Sequence, residues 1–213
     1  MNQRSSATKL SFSRVNRWLA LNLLLVMLLF VMVSSVFALT LPLRVDQVSG
    51  VWDTSSATAA TPGGYPNVIS GSTWNDISCS RIGTIGGEAQ IGWGSNRESC
   101  PEGLSDGQSR FGFTGTSNLA TNPDEFMLLG RFTHYNNSII AEKILGYINL
   151  NITLDFNAAT AASPDQVTIP VRLQLDETPN NQEVCPYGGE CSDAVYVSLP
   201  NNPIPVTIDG LSF

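Results

Sequence analysis

His134 is the one histidine in this 213-residue chain, so imidazole chemistry near neutral pH has a single address. A general base there needs a nucleophile or a metal beside it. Neither Gly-x-Ser-x-Gly nor His-Glu-x-x-His occurs. On the strand expected from Phe126, His134 shares parity with Leu128 and Phe132, the core-facing set. We therefore read it as a buried imidazole positioned by Asn136 or a backbone carbonyl, and keep a hydrolase built on it as an alternative.

Oxygen ligands crowd a second region, where Asp176, Glu177, Asn180, Glu183, Glu190 and Asp193 fall close together. Hard cations take carboxylate, amide and carbonyl oxygens, so Asp176, Glu177, Asn180 and Asp193 are candidate calcium ligands. The spacing is not that of an EF-hand loop. The simpler reading ends a strand at Asp176 and turns the chain through Glu177-Thr178-Pro179-Asn180, with Pro179 fixing φ and Asn180 tolerating left-handed geometry. No cofactor is expected on that reading. Asp124-Glu125 and Asp176-Glu177 are the adjacent carboxylate pairs. Neighbours on a strand point to opposite faces, so neither pair alone makes a glycosidase dyad.

Trp52, Tyr65, Trp74, Trp93 and Tyr135 could stack on sugars. Trp52 and Trp93 fall inside strand-like segments and are expected in the core, whereas Tyr65 and Trp74 lie near loops. A carbohydrate-binding module is thus the second alternative.

These residues need elements to hold them, and the elements read as strands. Ile148 to Phe156 and Val167 to Asp176 alternate apolar with polar at every step, which gives each one buried and one wet face. Pro170 cannot donate to a ladder, so its strand is expected at an edge or bulged. Shorter strands are expected at Gly50–Trp52, Glu88–Trp93, Arg110–Thr114, Phe126–Tyr135, Ala194–Leu199 and Ile204–Ile208, with Thr54–Ala60 as a loop. Short strands separated by Gly, Asn, Pro and Ser joints predict an all-β, antiparallel two-sheet β-sandwich, jelly-roll-like.

Ahead of it, residues 1–38 read as an export signal. Arg4, Lys9, Arg14 and Arg17 form an acid-free basic start, an apolar run spans Trp18 to Val33, and Ser34 to Ala38 offers a cleavage site. The 26 residues from Trp18 to Leu43 exceed the roughly 20 that span a bilayer, so an uncleaved signal-anchor is the other outcome. Membrane contact is expected through that segment alone.

Export puts Cys79, Cys100, Cys185 and Cys191 in an oxidising space, where they read as two disulfides. Three pairings are possible; the local ones, Cys79–Cys100 and Cys185–Cys191, are favoured over a four-thiol zinc site. Past the leader all 18 acidic residues face seven basic ones, a net charge of −11. Such a surface repels phosphate backbones, so nucleic acid is not an expected partner. The domain is expected to run over residues 39–213.

Three segments follow one another in a recognisable order: Trp93-Gly94, then Gln108-Ser109-Arg110-Phe111-Gly112-Phe113, then Phe126 to Ile139 with Thr133-His134-Tyr135-Asn136 inside it. Glu177-Thr178-Pro179-Asn180 comes after them, just before Cys185 and Cys191. This pattern resembles the choice-of-anchor K domain of exported bacterial proteins, over roughly Gly50 to Phe213. The resemblance implies a β-rich secreted or cell-surface domain and carries no established activity. Such domains end in sorting signals, whereas this sequence stops at Gly210-Leu211-Ser212-Phe213, so free secretion or the uncleaved leader is expected in the tether's place. Asn136-Asn137-Ser138 and Asn151-Ile152-Thr153 match the glycosylation acceptor pattern and read as coincidental in a bacterial protein. The resulting expectation is a non-catalytic structural, adhesive or binding domain, whose partner is an extracellular polysaccharide or another surface protein.

Overall fold

The computed structural model describes residues 43–63, 68–121, 125–156, 165–178, 193–205, 207–208 and 211–212. The leader, Cys185, Cys191, Tyr65, Asp124, Pro179 and Asn180 lie outside them. Nearly all the described residues belong to one compact unit, Arg44–Ala120 with Phe126–Phe213; the other, Met1–Leu43 with Thr121–Glu125, is almost entirely undescribed.

Antiparallel strands build two sheets that pack face to face as a β-sandwich. β1 (Leu43–Ala60), β5 (Ser117–Thr121), β7 (Ile144–Phe156), β8 (Asp165–Asp176) and β9 (Ala194–Ser198) form a five-stranded sheet in the order β5-β1-β7-β8-β9. β2 (Arg81–Ile85), β3 (Glu88–Trp93), β4 (Ser109–Gly115) and β6 (Gly130–Tyr135) form the second, in the order β2-β3-β4-β6. A two-stranded ribbon pairs β10 (Thr207–Ile208) with β11 (Leu211–Ser212).

The strict alternation of β7 and β8 does what period two demands. Ile148, Leu150, Ile152 and Leu154 are buried on one strand and Val167, Val171, Leu173 and Leu175 on the next, paired in register from Tyr147↔Gln174 to Phe156↔Asp165. From the facing sheet, Ile91, Trp93, Phe111 and Phe113 meet them. Phe111 is the hub. Its ring stacks on Trp52 at 6.0 Å and meets Trp93 at 4.9 Å and Phe132 at 5.2 Å. Trp52 Nε1 also donates to the Ala89 carbonyl at 2.9 Å, a polar tie across the two sheets. Trp52 and Trp93 are thus core residues, as their strand parity predicts.

Several expectations change. Thr54–Ala60 is not a loop: β1 runs through it after a register shift between Asp53 and Thr58 and pairs Thr58, Ala59 and Ala60 with β7. Ser56 repairs the break by donating to the Asp53 carbonyl and accepting from the Asn149 amide. The strand expected from Phe126 begins only at Gly130, which leaves Phe126 and Leu128 exposed. The strand expected at Ile204–Ile208 shrinks to Thr207–Ile208. β8 is interior in strand order, yet β9 reaches only to Arg172, so at Pro170 the side away from β7 is open and the missing N–H breaks no described ladder.

β2 and β5 were not expected. β2 joins β3 through Gly86-Gly87, both at positive φ (59° and 83°), the two-residue turn that matches strand twist. Cys79 and Cys100 form the disulfide, which closes the excursion from the foot of β2 past β3.

Candidate functional site

At one end of the sandwich, residues far apart in the chain converge between the sheets. β3 ends on Trp93 and β4 begins on Ser109, which sit opposite each other in register. β6 places His134 beside Phe111. The exit of β8 brings in Glu177 and Thr178, and Asp193 precedes β9. Trp93 Nε1 donates to Glu177 Oε2 at 2.7 Å. Ser109 Oγ lies 3.5 Å from Glu177 Oε1, donates to the Asn137 carbonyl and accepts from the Asn137 amide. Thr178 donates to Asp193 Oδ1 twice, from its amide at 2.9 Å and its hydroxyl at 3.3 Å. Asp193 Oδ2 stands 3.7 Å from His134 Nε2, too far for a hydrogen bond.

Neighbouring motif residues hold the surrounding frame. Gly94 has φ +63°, and a Cβ there would run into Ile139, so the Trp93-Gly94 pair needs its glycine. Gln108 Nε2 donates to the Cys79 and Gly94 carbonyls, and Asn137 Nδ2 to the Gln108 carbonyl.

Burial sets the charge state. Glu177 is 5% exposed; desolvation, and then the nearby Asp193, push its carboxyl up to about 8 despite the bonds from Trp93 and Ser109. Burial also raises Asp193 against the two Thr178 bonds, with Asp176 adding to the rise. His134 is lowered to about 4 by burial, its ring stacked at 22° to Trp93 and edge-on to Phe111. Near neutral pH the cluster is therefore a neutral imidazole beside a largely protonated glutamic acid.

Two sequence readings are corrected here. His134 is half-buried, its side chain 18% exposed, Asn136 is exposed, and the group facing the imidazole is Asp193. Leu128 does not share its core-facing set, because it precedes the strand and is 73% exposed. Asp176 ends β8 as expected, Glu177 and Thr178 are buried, and the rest of the expected turn, Pro179 and Asn180, lies outside the described residues. Of the candidate calcium ligands, Asp176, Glu177 and Asp193 gather here and Asn180 lies outside the described residues. Among the described residues no group of three or more His, Cys, Asp or Glu is placed to hold a metal ion.

A second polar cluster escaped the sequence reading. On the outer face of the four-stranded sheet, Glu88 accepts from Gln90 (2.6 Å), Tyr135 (2.8 Å) and Thr133 (3.0 Å). Arg110, 5% exposed, donates to Gln90 and Asp106 and lies over the Tyr135 ring at 4.5 Å. Thr133 thus belongs to this cluster and not to the one holding its neighbour His134. Aligning β3, β4 and β6 by parity would have placed these polar residues on one face. Of the stacking candidates, Tyr135 lies under Arg110, and Trp74 is half-buried in the 3-10 turn Trp74–Asp76.

Neither protein-family models nor curated proteins give a match to this chain.

Proposed function

We propose that this is a non-catalytic domain of the choice-of-anchor K type, exported to the surface or surroundings of a bacterial cell, where it serves as an adhesive or binding module. One observation carries the reading. The polar groups of the motif are taken up inside the protein: Trp93 and Ser109 bond Glu177, Thr178 bonds Asp193 and Gln108 bonds the Cys79 and Gly94 carbonyls, while His134 lies against Trp93, Phe111 and Asp193. A catalytic serine or histidine must reach a substrate, whereas these residues knit the two sheets together. The motif then specifies the scaffold and leaves the outer surface to do the binding.

The leader and the Cys79–Cys100 bridge support an oxidising destination. The reading takes no cofactor; a calcium titration that raised the melting temperature would add one. A panel of ester, glycoside and peptide probes tests it. We expect no turnover from the purified protein, together with a lower melting temperature for His134→Asn. Turnover that disappears in a folded His134→Asn variant sinks the reading in favour of a hydrolase.

A further inference from the structure

The outer face of the five-stranded sheet has a composition of its own. From Gln47 onward, β1, β7, β8 and β9 present alternate residues to it, and the register sets them in rows. One row is Tyr147, Gln174 and Tyr196 across β7, β8 and β9; the next is Asp53, Asn149, Arg172 and Ser198; a third is Val51, Asn151 and Pro170. Thr153 and Thr168 join hydroxyls at 3.0 Å in the row beyond. Beyond Arg44 and Asp46 at the start of β1, the charged side chains these four strands give the face are Asp53, Asp155, Arg172 and, at the end of β8, the buried Asp176, with no lysine and no glutamate, in a chain of net charge −7. Lys, Glu and Arg are almost always exposed when present and are the usual residues of a face that serves solubility alone; this one carries mainly amides, hydroxyls and tyrosines.

From these rows we infer that the outer face of the five-stranded sheet is a docking platform for an extended, uncharged polysaccharide. The occupant follows from charge and from hydrogen-bonding type. Asn149, Asn151 and Gln174 each offer two side-chain amide donors and an acceptor, the complement of a chain of hydroxyls, and among the described residues these side-chain amides bond to no protein group. Phosphate- or carboxylate-bearing polymers meet two aspartates and the acidic field of the whole chain. Tyr196 is 41% exposed, and the Arg172 guanidinium covers the Tyr147 ring at 3.9 Å. Two strand spacings separate Tyr147 from Tyr196, roughly 10 Å, close to the advance of two sugars in an extended β-linked chain. A flat tyrosine and a flat guanidinium-on-tyrosine stack therefore support alternate sugars while the amides between them read hydroxyls. The inference deepens the binding-module reading and rests on it.

Affinity electrophoresis of the purified protein through gels containing hydroxyethylcellulose, xylan or mannan, with polygalacturonate as the anionic counterpart, tests the platform. We expect retardation by at least one of the neutral polymers. Tyr196→Ala and Asn151→Ala should each weaken it by about tenfold, the size of one stacking or hydrogen-bonding contact of about 1.4 kcal/mol, with the melting temperature unchanged. Three results overturn the inference: no retardation by any neutral polymer, retardation that survives both substitutions, or retardation by polygalacturonate alone. If Tyr196→Ala instead turns a dimer into a monomer and no polymer slows the protein, the face belongs to a second copy and the inference fails. Should the neutral polymer be both bound through Tyr196 and shortened, the platform stands and the non-catalytic reading is what falls.

Discussion

Two glutamates in this sandwich are equally screened from contact with solvent and end in different charge states. Glu88 is 4% exposed and Glu177 5%, so desolvation presses on both. Glu88 nevertheless sits below the usual carboxylate range, because Tyr135, Gln90 and Thr133 donate to it and Arg131 lies near, which together outweigh its burial. Glu177 has only Trp93 and Ser109, faces Asp193, and is pushed up to about 8. Solvent access alone does not set ionisation; how much protein surrounds the carboxyl, the number of donors and the sign of the neighbours decide it. The outer cluster is built around an ionised glutamate, the inner one around a glutamic acid that burial and a neighbouring aspartate keep largely protonated.

The largest effect should come from the bridge that joins the inner cluster to the core. Trp93→Ala removes a fully buried indole and the donor to Glu177, and we expect a loss of about 3–5 kcal/mol in urea unfolding. A loss below 1 kcal/mol would mean that the inner cluster does not hold the sheets together.

Next come the paired substitutions that set one glutamate against the other. Glu88→Gln removes a charge that three donors and a nearby arginine favour, and should cost about 1–3 kcal/mol at pH 7. Glu177→Gln keeps a neutral acceptor for Trp93 and should cost little at pH 5. Because folding raises the Glu177 pKa from 4.5 to about 8, its contribution is full below pH 4.5 and fades as pH climbs through 8. Wild type should therefore lose stability over that window, and Glu177→Gln should flatten the decline and be the more stable protein at pH 8. Melting curves from pH 4.5 to 9 on both variants check the contrast; equal pH profiles would erase it.

His134 gives a smaller effect of opposite sign. Its pKa falls from 6.5 to about 4 on folding, so its contribution is full above pH 6.5 and lost as pH drops through 4. The two windows overlap between pH 4.5 and 6.5, where the slopes oppose and the melting temperature should change least. His134→Gln should soften the acid decline and leave the alkaline one intact. Smallest of all, Asn136→Ala should stay within about 0.5 kcal/mol of wild type, since Asn136 is exposed; a larger change would restore it as the partner of His134.

What the sequence disclosed follows how local each signal is. β7 and β8 announce themselves through alternation sustained over whole strands, and β3 falls on its expected boundaries because Ala89, Ile91 and Trp93 point one way and are bracketed by glycines. β2 was missed because Gly83 interrupts it and its edge position leaves Ile82 52% exposed, although Gly86-Gly87 marks a hairpin. β5 was missed because Ser117 to Thr121 has no apolar face; β1 beside it makes it a strand. The site was half legible. Its residues stand out as a motif, but Glu177-Thr178 reads only as the start of a turn, and nothing local says that Trp93, 84 residues earlier, reaches over to bond it. No window of sequence holds both partners. Asp193 was legible only as an oxygen ligand, since its role depends on where β6 delivers His134.

The bond from Trp93 to Glu177 also gives the protein an optical readout of its own interior. An indole whose nitrogen lies 2.7 Å from a titrating carboxyl, with an imidazole stacked on its other side, emits differently as that carboxyl gains charge. With Trp18, Trp52 and Trp74 replaced by Phe, the fluorescence of Trp93 should report the inner proton without any added dye.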